Sequence, residues 1–168
     1  KASTIQKKAI EHQLEIIKIY APGESGLDQI ENVDGLICIG KFSKEEIKAF
    51  EMVTPQMVFV DSSPQEEKFD SVVVDFEKAV IKVIDHLFSK KFKSIGYIGG
   101  REFAGTEQIP IGERRESVFK TYLQSHHCFD QEHVYIGKFL AESGYRLMQE
   151  AVDSKNLPEA FFIASDSM

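Results

Sequence analysis

The sequence contains no tryptophan and only two cysteines, Cys38 inside an apolar run and Cys128 in a polar stretch. Two isolated cysteines supply neither a zinc site nor a disulfide framework, and the expected compartment is a reducing one, the cytoplasm. Long hydrophobic runs are missing as well. No apolar stretch approaches the roughly 20 residues needed to cross a bilayer, and the longest, around Val33–Ile39, reads as a buried strand. Lys1 opens no basic-then-apolar leader, so nothing in these residues directs secretion. Positive charge is in deficit: 20 Lys and Arg face 27 Asp and Glu, for a net charge of −7. A segment that grips nucleic acid needs a positive face toward the phosphates, so this segment is not expected to do so.

The motifs of several chemistries are absent too. There is no GxGxxG turn and no GKS/T phosphate loop. There is no GxSxG elbow and no HExxH helix. The triplet His126-His127-Cys128 invites a metal, but adjacent histidines seldom converge on one ion and no carboxylate stands at a matching spacing. It reads as a polar helix end. No paired acid and base is apparent. The expectation is therefore a protein that is not an enzyme and holds no metal and no cofactor.

What is present is a globular balance of 42% hydrophobic and 28% charged residues, with thirteen phenylalanines that predict a Phe-rich core. The pattern alternates helix and strand. Helical spacing covers Ile5–Gln13, and the alternation of Leu14–Tyr20 predicts a strand. Pro and Gly mark 21–26 as a loop, and a short helix is expected over Leu27–Glu31. Gly35–Ile39 reads as a buried parallel strand. Ser43 and Glu46 form a capping box for a helix that ends before Pro55. Met57–Val60 is the next strand, closed by Asp61. Ser71–Val74 is an extended run, after which Asp75 caps a long helix over Phe76–Ser89 with Val80, Ile84, Leu87 and Phe88 on one stripe. A strand ending in Gly99-Gly100, a loop over Arg101–Gly112, and a helix over Glu113–Ser125 follow. The last elements are a strand at Glu132–Ile136, a helix at Glu142–Val152 and a strand at Glu159–Ala164. This order predicts an α/β chain with parallel sheets and right-handed crossovers. The rhythm changes near 62–75, which divides it into an N-terminal lobe over 1–62, a crossover or hinge over 63–74 and a C-terminal lobe over 75–168. Both lobes are expected to be partial, because Lys1 opens straight into a helical pattern and Met168 stops just past a strand.

In doubly wound sheets ligands sit beyond the carboxyl ends of the strands. Four such ends stand out: Gly40-Lys41, Asp61, Gly99-Gly100-Arg101 and Ser165-Asp166. Aspartates there can accept paired hydroxyl donors, and an arginine can offer a planar fork. A neutral sugar needs both, although Asp and Gly also end strands for purely structural reasons.

These stretches resemble, in order, the sugar-binding core of LacI/GalR transcriptional regulators, a two-lobed fold of the periplasmic-binding-protein type. Val33–Ile37 resembles the family's VDGLI strand, and Met57–Asp61 its P-x-V-x-x-D strand. Val72–Asp75 with His86-Leu87 resembles V-x-x-D…HL, and Lys93–Gly100 the I-x-x-I-x-G strand. Glu113–Arg115 with Phe119 and Leu123 resembles the R-x-x-G-F helix, and Ala160–Met168 the final N-D-x-M segment. The resemblance implies a ligand site built from Asp61, Arg115, an aromatic at Phe139 that stacks on the sugar, and Ser165, with Asp166 as a helix cap. The sequence departs from the family at Ser165, which stands for an asparagine, and at Val118, which stands for a glycine. Where the family sometimes has an asparagine at the end of the second strand, Ile39 is followed by Gly40 and Lys41, and Lys41 is expected to point into the cleft. The implied function is a repressor's effector-binding domain that closes on a small sugar, galactose or another hexose, as a homodimer whose DNA-binding helix-turn-helix precedes these residues. A sugar-binding protein of a transport system and a purine-sensing repressor share the fold and remain open as alternatives. An enzyme of phosphosugar metabolism would need the acid–base pair or metal cluster that the sequence does not offer.

Overall fold

The computed structural model describes residues 2–19, 33–104, 109–111 and 114–168. Helix α1 runs over Ala2–Glu11. The expected strand after it does not form: Leu14–Ile19 lies outside any sheet and largely exposed, and Lys18 Nζ reaches back to Gln6 Oε1 at 2.7 Å. Alternating residues make a strand only when a neighbouring strand takes up the backbone groups, and here the segment turns back along its own helix. Tyr20 and the short helix expected over 27–31 lie outside the described residues.

The first sheet has the order β1-β2-β3, all parallel, with β1 at Leu36–Ile39, β2 at Met57–Val60 and β3 at Asp70–Val72. Helix α2, Lys44–Val53, crosses between the first two strands. Its capping box is complete: Glu46 N donates to Ser43 Oγ at 3.2 Å and Ser43 N donates to Glu46 Oε2 at 2.7 Å. Two otherwise orphaned amides are thereby satisfied. Cys38, Ile47, Met57, Phe59 and Phe69 form the core beneath this sheet, with Leu36, Phe42 and Phe50 against it. Burial pushes the Cys38 thiol up to about 11, as expected of core filling. The third strand, β3, comes from the stretch the sequence marks as a crossover, so 63–74 both extends the first sheet and leads out of it.

The second sheet has β4 (Ile95–Gly100) at its centre between β7 (Val134–Gly137) and β8 (Ala160–Ile163), again all parallel. Its central strand is buried at every position, as the middle of a parallel sheet covered on both faces must be. Strand β7 is entered through a single 3-10 turn at Gln131–His133. Helices α3 (Phe76–Ser89), α4 (Arg114–Ser125) and α5 (Ala141–Asp153) pack around it. Asp75 caps α3 as expected, accepting from Lys78 N at 3.0 Å. Val80, Ile84, Ile95, Tyr97, Phe119, Leu123, Phe162 and Ala164 form its core. Tyr97 stacks on Phe162 with ring centroids 5.7 Å apart, and Phe119 lies 5.1 Å from Tyr97. Buried aromatics of this size each contribute about 1.5–3 kcal/mol by leaving water.

The loop expected between β4 and α4 contains a small antiparallel pair, β5 (Glu102–Ala104) with β6 (Ile109–Ile111). Among the described residues no helix is long and apolar enough to cross a membrane. His126 and His127 follow the end of α4; the His126 ring packs 4.5 Å from Tyr122, and His127 turns the chain at φ 56°.

Candidate ligand site at the strand ends

Parallel strands deliver their carboxyl ends to one edge of a sheet, so residues far apart in sequence meet there. At that edge of the first sheet, Gly40 follows β1 with φ 118°, a conformation that an L side chain resists. Lys41 comes next, half-buried. Asp61 follows β2 at φ 77°, an uncommon left-handed conformation that aspartate tolerates better than most residues. Its amide donates to Val72 O at 2.9 Å, which ties the turn to the end of β3. Ser62 Oγ donates to Gly40 O at 2.5 Å, and Ser71 Oγ donates to Ser63 Oγ at 2.9 Å. Lys41 and Asp61 thus stand at the ends of adjacent strands.

The same edge of the second sheet carries the arginine. Arg115 lies in the first turn of α4, and its Nη1 donates to Ala164 O, just past β8, at 2.6 Å. Two rings flank its guanidinium carbon: Phe139 at 4.9 Å and Phe76 at 4.8 Å. Phe139 arrives on the loop that follows β7. It can approach because position 100 is glycine: a Cβ there would meet Phe139 N at 2.7 Å and Lys138 C at 2.8 Å. Ser165 is half-buried beside Ala164, and its Oγ is engaged with Ser167, at 2.8 Å from Ser167 Oγ and 3.3 Å from Ser167 N. The expected residues therefore fall into two groups. Arg115, Phe139 and Ser165 gather at the edge of the second sheet, and Asp61 and Lys41 stand at the edge of the first.

The two edges are joined by very little chain. Val72 holds the amide of Asp61, and Phe76 touches Arg115. Four residues span at most about 14 Å even when fully extended. Phe76 is the member of the site that the sequence reading passes over. It lies four residues before Val80, on the same helical stripe as Val80, Ile84 and Leu87, and so reads as more core. Its position directly after the capping Asp75, at a helix start that faces strand ends, is the signal that sets it apart.

The profile of periplasmic binding protein-like domains matches residues 84–168, just over half of the 168-residue chain. This chain belongs to the periplasmic binding protein-like domain family. Within that family its relatives are regulators of the LacI/GalR type. It is 38% identical over 167 residues to the HTH-type transcriptional repressor MelR of Bacillus subtilis (strain 168), an alignment that covers 98% of this chain and 48% of MelR. A LacI transcriptional regulator of Bacillus cereus subsp. cytotoxis NVH 391-98 superposes with a TM-score of 0.77 at 19% identity, over 97% of this chain and 60% of that one. A LacI family regulator of Lactobacillus casei with bound glucose gives a TM-score of 0.72 at 19% identity, over 98% and 64%. At these identities the two structures bear on the fold alone, and they agree with the two-sheet periplasmic-binding-protein-like architecture. The chain spans about half the length of the curated relatives it matches.

Proposed function

We propose that these residues form the effector-binding part of a LacI/GalR-type transcriptional repressor, which senses a small sugar by closing two lobes on it and performs no chemistry. The observation that carries the proposal is the grouping at the strand ends. A ring-flanked arginine and Ser165 stand at one carboxyl edge, and an aspartate with a lysine beside it stands at the other, a few residues of chain away. Asp61 would accept from paired sugar hydroxyls, and Arg115 would donate in the plane of its guanidinium. Phe139 would present an apolar ring to the sugar face. Ser165 and Lys41 would read hydroxyls at the periphery, and the engagement of Ser165 with Ser167 makes it the weaker reader.

On this reading 1–62 and 75–168 belong to opposing lobes, and 63–74 carries the connection as well as β3. Sugar binding selects the closed arrangement by its higher affinity for that state, which is all that allosteric control requires. A homodimer in the cytoplasm would pass the change to a helix-turn-helix segment preceding these residues. The curated relatives are named as HTH-type regulators, which favours a repressor over a transport protein, and structural neighbours that are LacI family regulators hold glucose and sucrose, which favours a sugar as the ligand.

Calorimetric titration of the protein with galactose, glucose, lactose, ribose, hexose phosphates and purines tests the proposal. Saturable binding of one sugar, abolished in Arg115→Ala and in Asp61→Ala while both variants keep the wild-type circular dichroism, is the expected result. Binding of a purine or a phosphosugar in its place would overturn the ligand class, and silence across the panel would overturn sugar sensing.

A further inference from the structure

We infer that Phe76 is a positioning residue of this site: it fixes the guanidinium of Arg115 and links it to the strand end that carries Asp61. The inference rests on the sugar-sensing reading for its ligand, but its geometry stands without that reading.

A guanidinium is useful to a ligand only if its plane is fixed, because its donors lie in that plane in a rigid fork. The bond from Nη1 to Ala164 O holds one corner of the group. The rings lying over the guanidinium restrict its plane further, through cation–π attraction and through contact. Phe139 supplies one ring and Phe76 the other, at nearly equal distances of 4.9 and 4.8 Å.

The two rings pack beside one core but arrive on different segments. Phe139 belongs to the loop after β7. Phe76 opens α3, a helix held by the Asp75 cap and by Val80 and Ile84 in the second core. It is also the first helical residue after the extended stretch that leaves β3. The carbonyl of Val72 in β3 accepts from Asp61 N. A change in backbone angle over 73–75 therefore alters the relation between Asp61 and the ring on Arg115. No such tether runs through Phe139.

The test uses the Nε–Hε resonance of Arg115, assigned with Arg115→Lys, in wild type, Phe76→Leu and Phe76→Tyr. Leucine keeps apolar bulk and removes the ring; tyrosine restores it. The expected result is a downfield move of the Arg115 Hε signal in Phe76→Leu, as ring-current shielding is lost, with water exchange of that proton several-fold faster. Phe76→Tyr should return both to near wild type. Affinity for whichever sugar binds wild type should fall by about 3- to 10-fold in Phe76→Leu, the scale of one lost cation–π contact, and recover in Phe76→Tyr. An unmoved Arg115 signal in Phe76→Leu overturns the inference whether or not any sugar binds. A moved signal with unchanged affinity overturns the role in ligand binding. If wild type binds no sugar, the functional reading fails, and the Arg115 signal alone decides whether Phe76 positions it.

Discussion

Replacing Gly100 by alanine adds one methyl group at the point where β4 passes closest to the loop after β7. The added Cβ would stand 2.7 Å from Phe139 N and 2.8 Å from Lys138 C. Ordinary contact begins near 3.4 Å, so the 138–139 backbone must retreat by roughly 0.7 Å. It cannot do so freely. Gly100 is paired with Gly137 in the parallel register, and Arg101 N donates to Gly137 O at 3.0 Å. Overpacking against fixed backbone costs about 1–3 kcal/mol. Withdrawing Phe139 from Arg115 adds about 0.5–1 kcal/mol. The narrower unfolded ensemble of alanine returns about 0.4–1 kcal/mol. The net loss is about 1–3 kcal/mol, and for a chain of this size each kcal/mol lowers Tm by about 2–4 °C. Thermal unfolding followed by circular dichroism should show a Tm lower by roughly 3–10 °C, and the amide signals of Lys138 and Phe139 should shift. An unchanged or raised Tm, which unfolded-state entropy alone would give, would refute the argument that Gly100 is there to admit the Phe139 loop.

Three further outcomes follow from other parts of the molecule. Ser43→Ala removes half of the capping box of α2 and should lower stability by about 1 kcal/mol in urea unfolding, with an unchanged m-value. The Glu159 carboxylate accepts from Lys93 N at 2.5 Å and Ser94 N at 3.1 Å, and these bonds hold its carboxyl below the usual glutamate range. Because the folded value is the lower one, its contribution to stability is complete above the unfolded value of about 4.5 and is lost as pH falls through the folded value. A carbon-detected titration of Glu159 should show a midpoint below 4.5, and Glu159→Gln should reduce the acid sensitivity of unfolding. The Cys38 thiol, pushed up to about 11, should resist a disulfide reagent at pH 8 in the folded protein. The less buried Cys128 should react first, and both should react once urea is added.

Much of the architecture was legible in the sequence because it is encoded locally. Ser43 and Glu46 announce α2, Asp75 and the stripe through Val80 and Ile84 announce α3, and apolar runs such as Met57–Val60 announce strands, because capping and periodicity act between near neighbours in the chain. The strand ends that form the candidate site could be marked for the same reason. Leu14–Ile19 shows the limit: its alternation is that of a strand, yet among the described residues no neighbouring strand takes it up. The pairing of 70–72 as a third strand of the first sheet depended likewise on where β2 lay. The tertiary structure alone decided that Phe76 would leave the helical stripe's usual duty and meet Arg115, and that Gly100 would matter for the space it leaves to Phe139. Those contacts join residues 39 positions apart in each case, and only the stacking of parallel strands and their covering helices brings such residues within reach of each other.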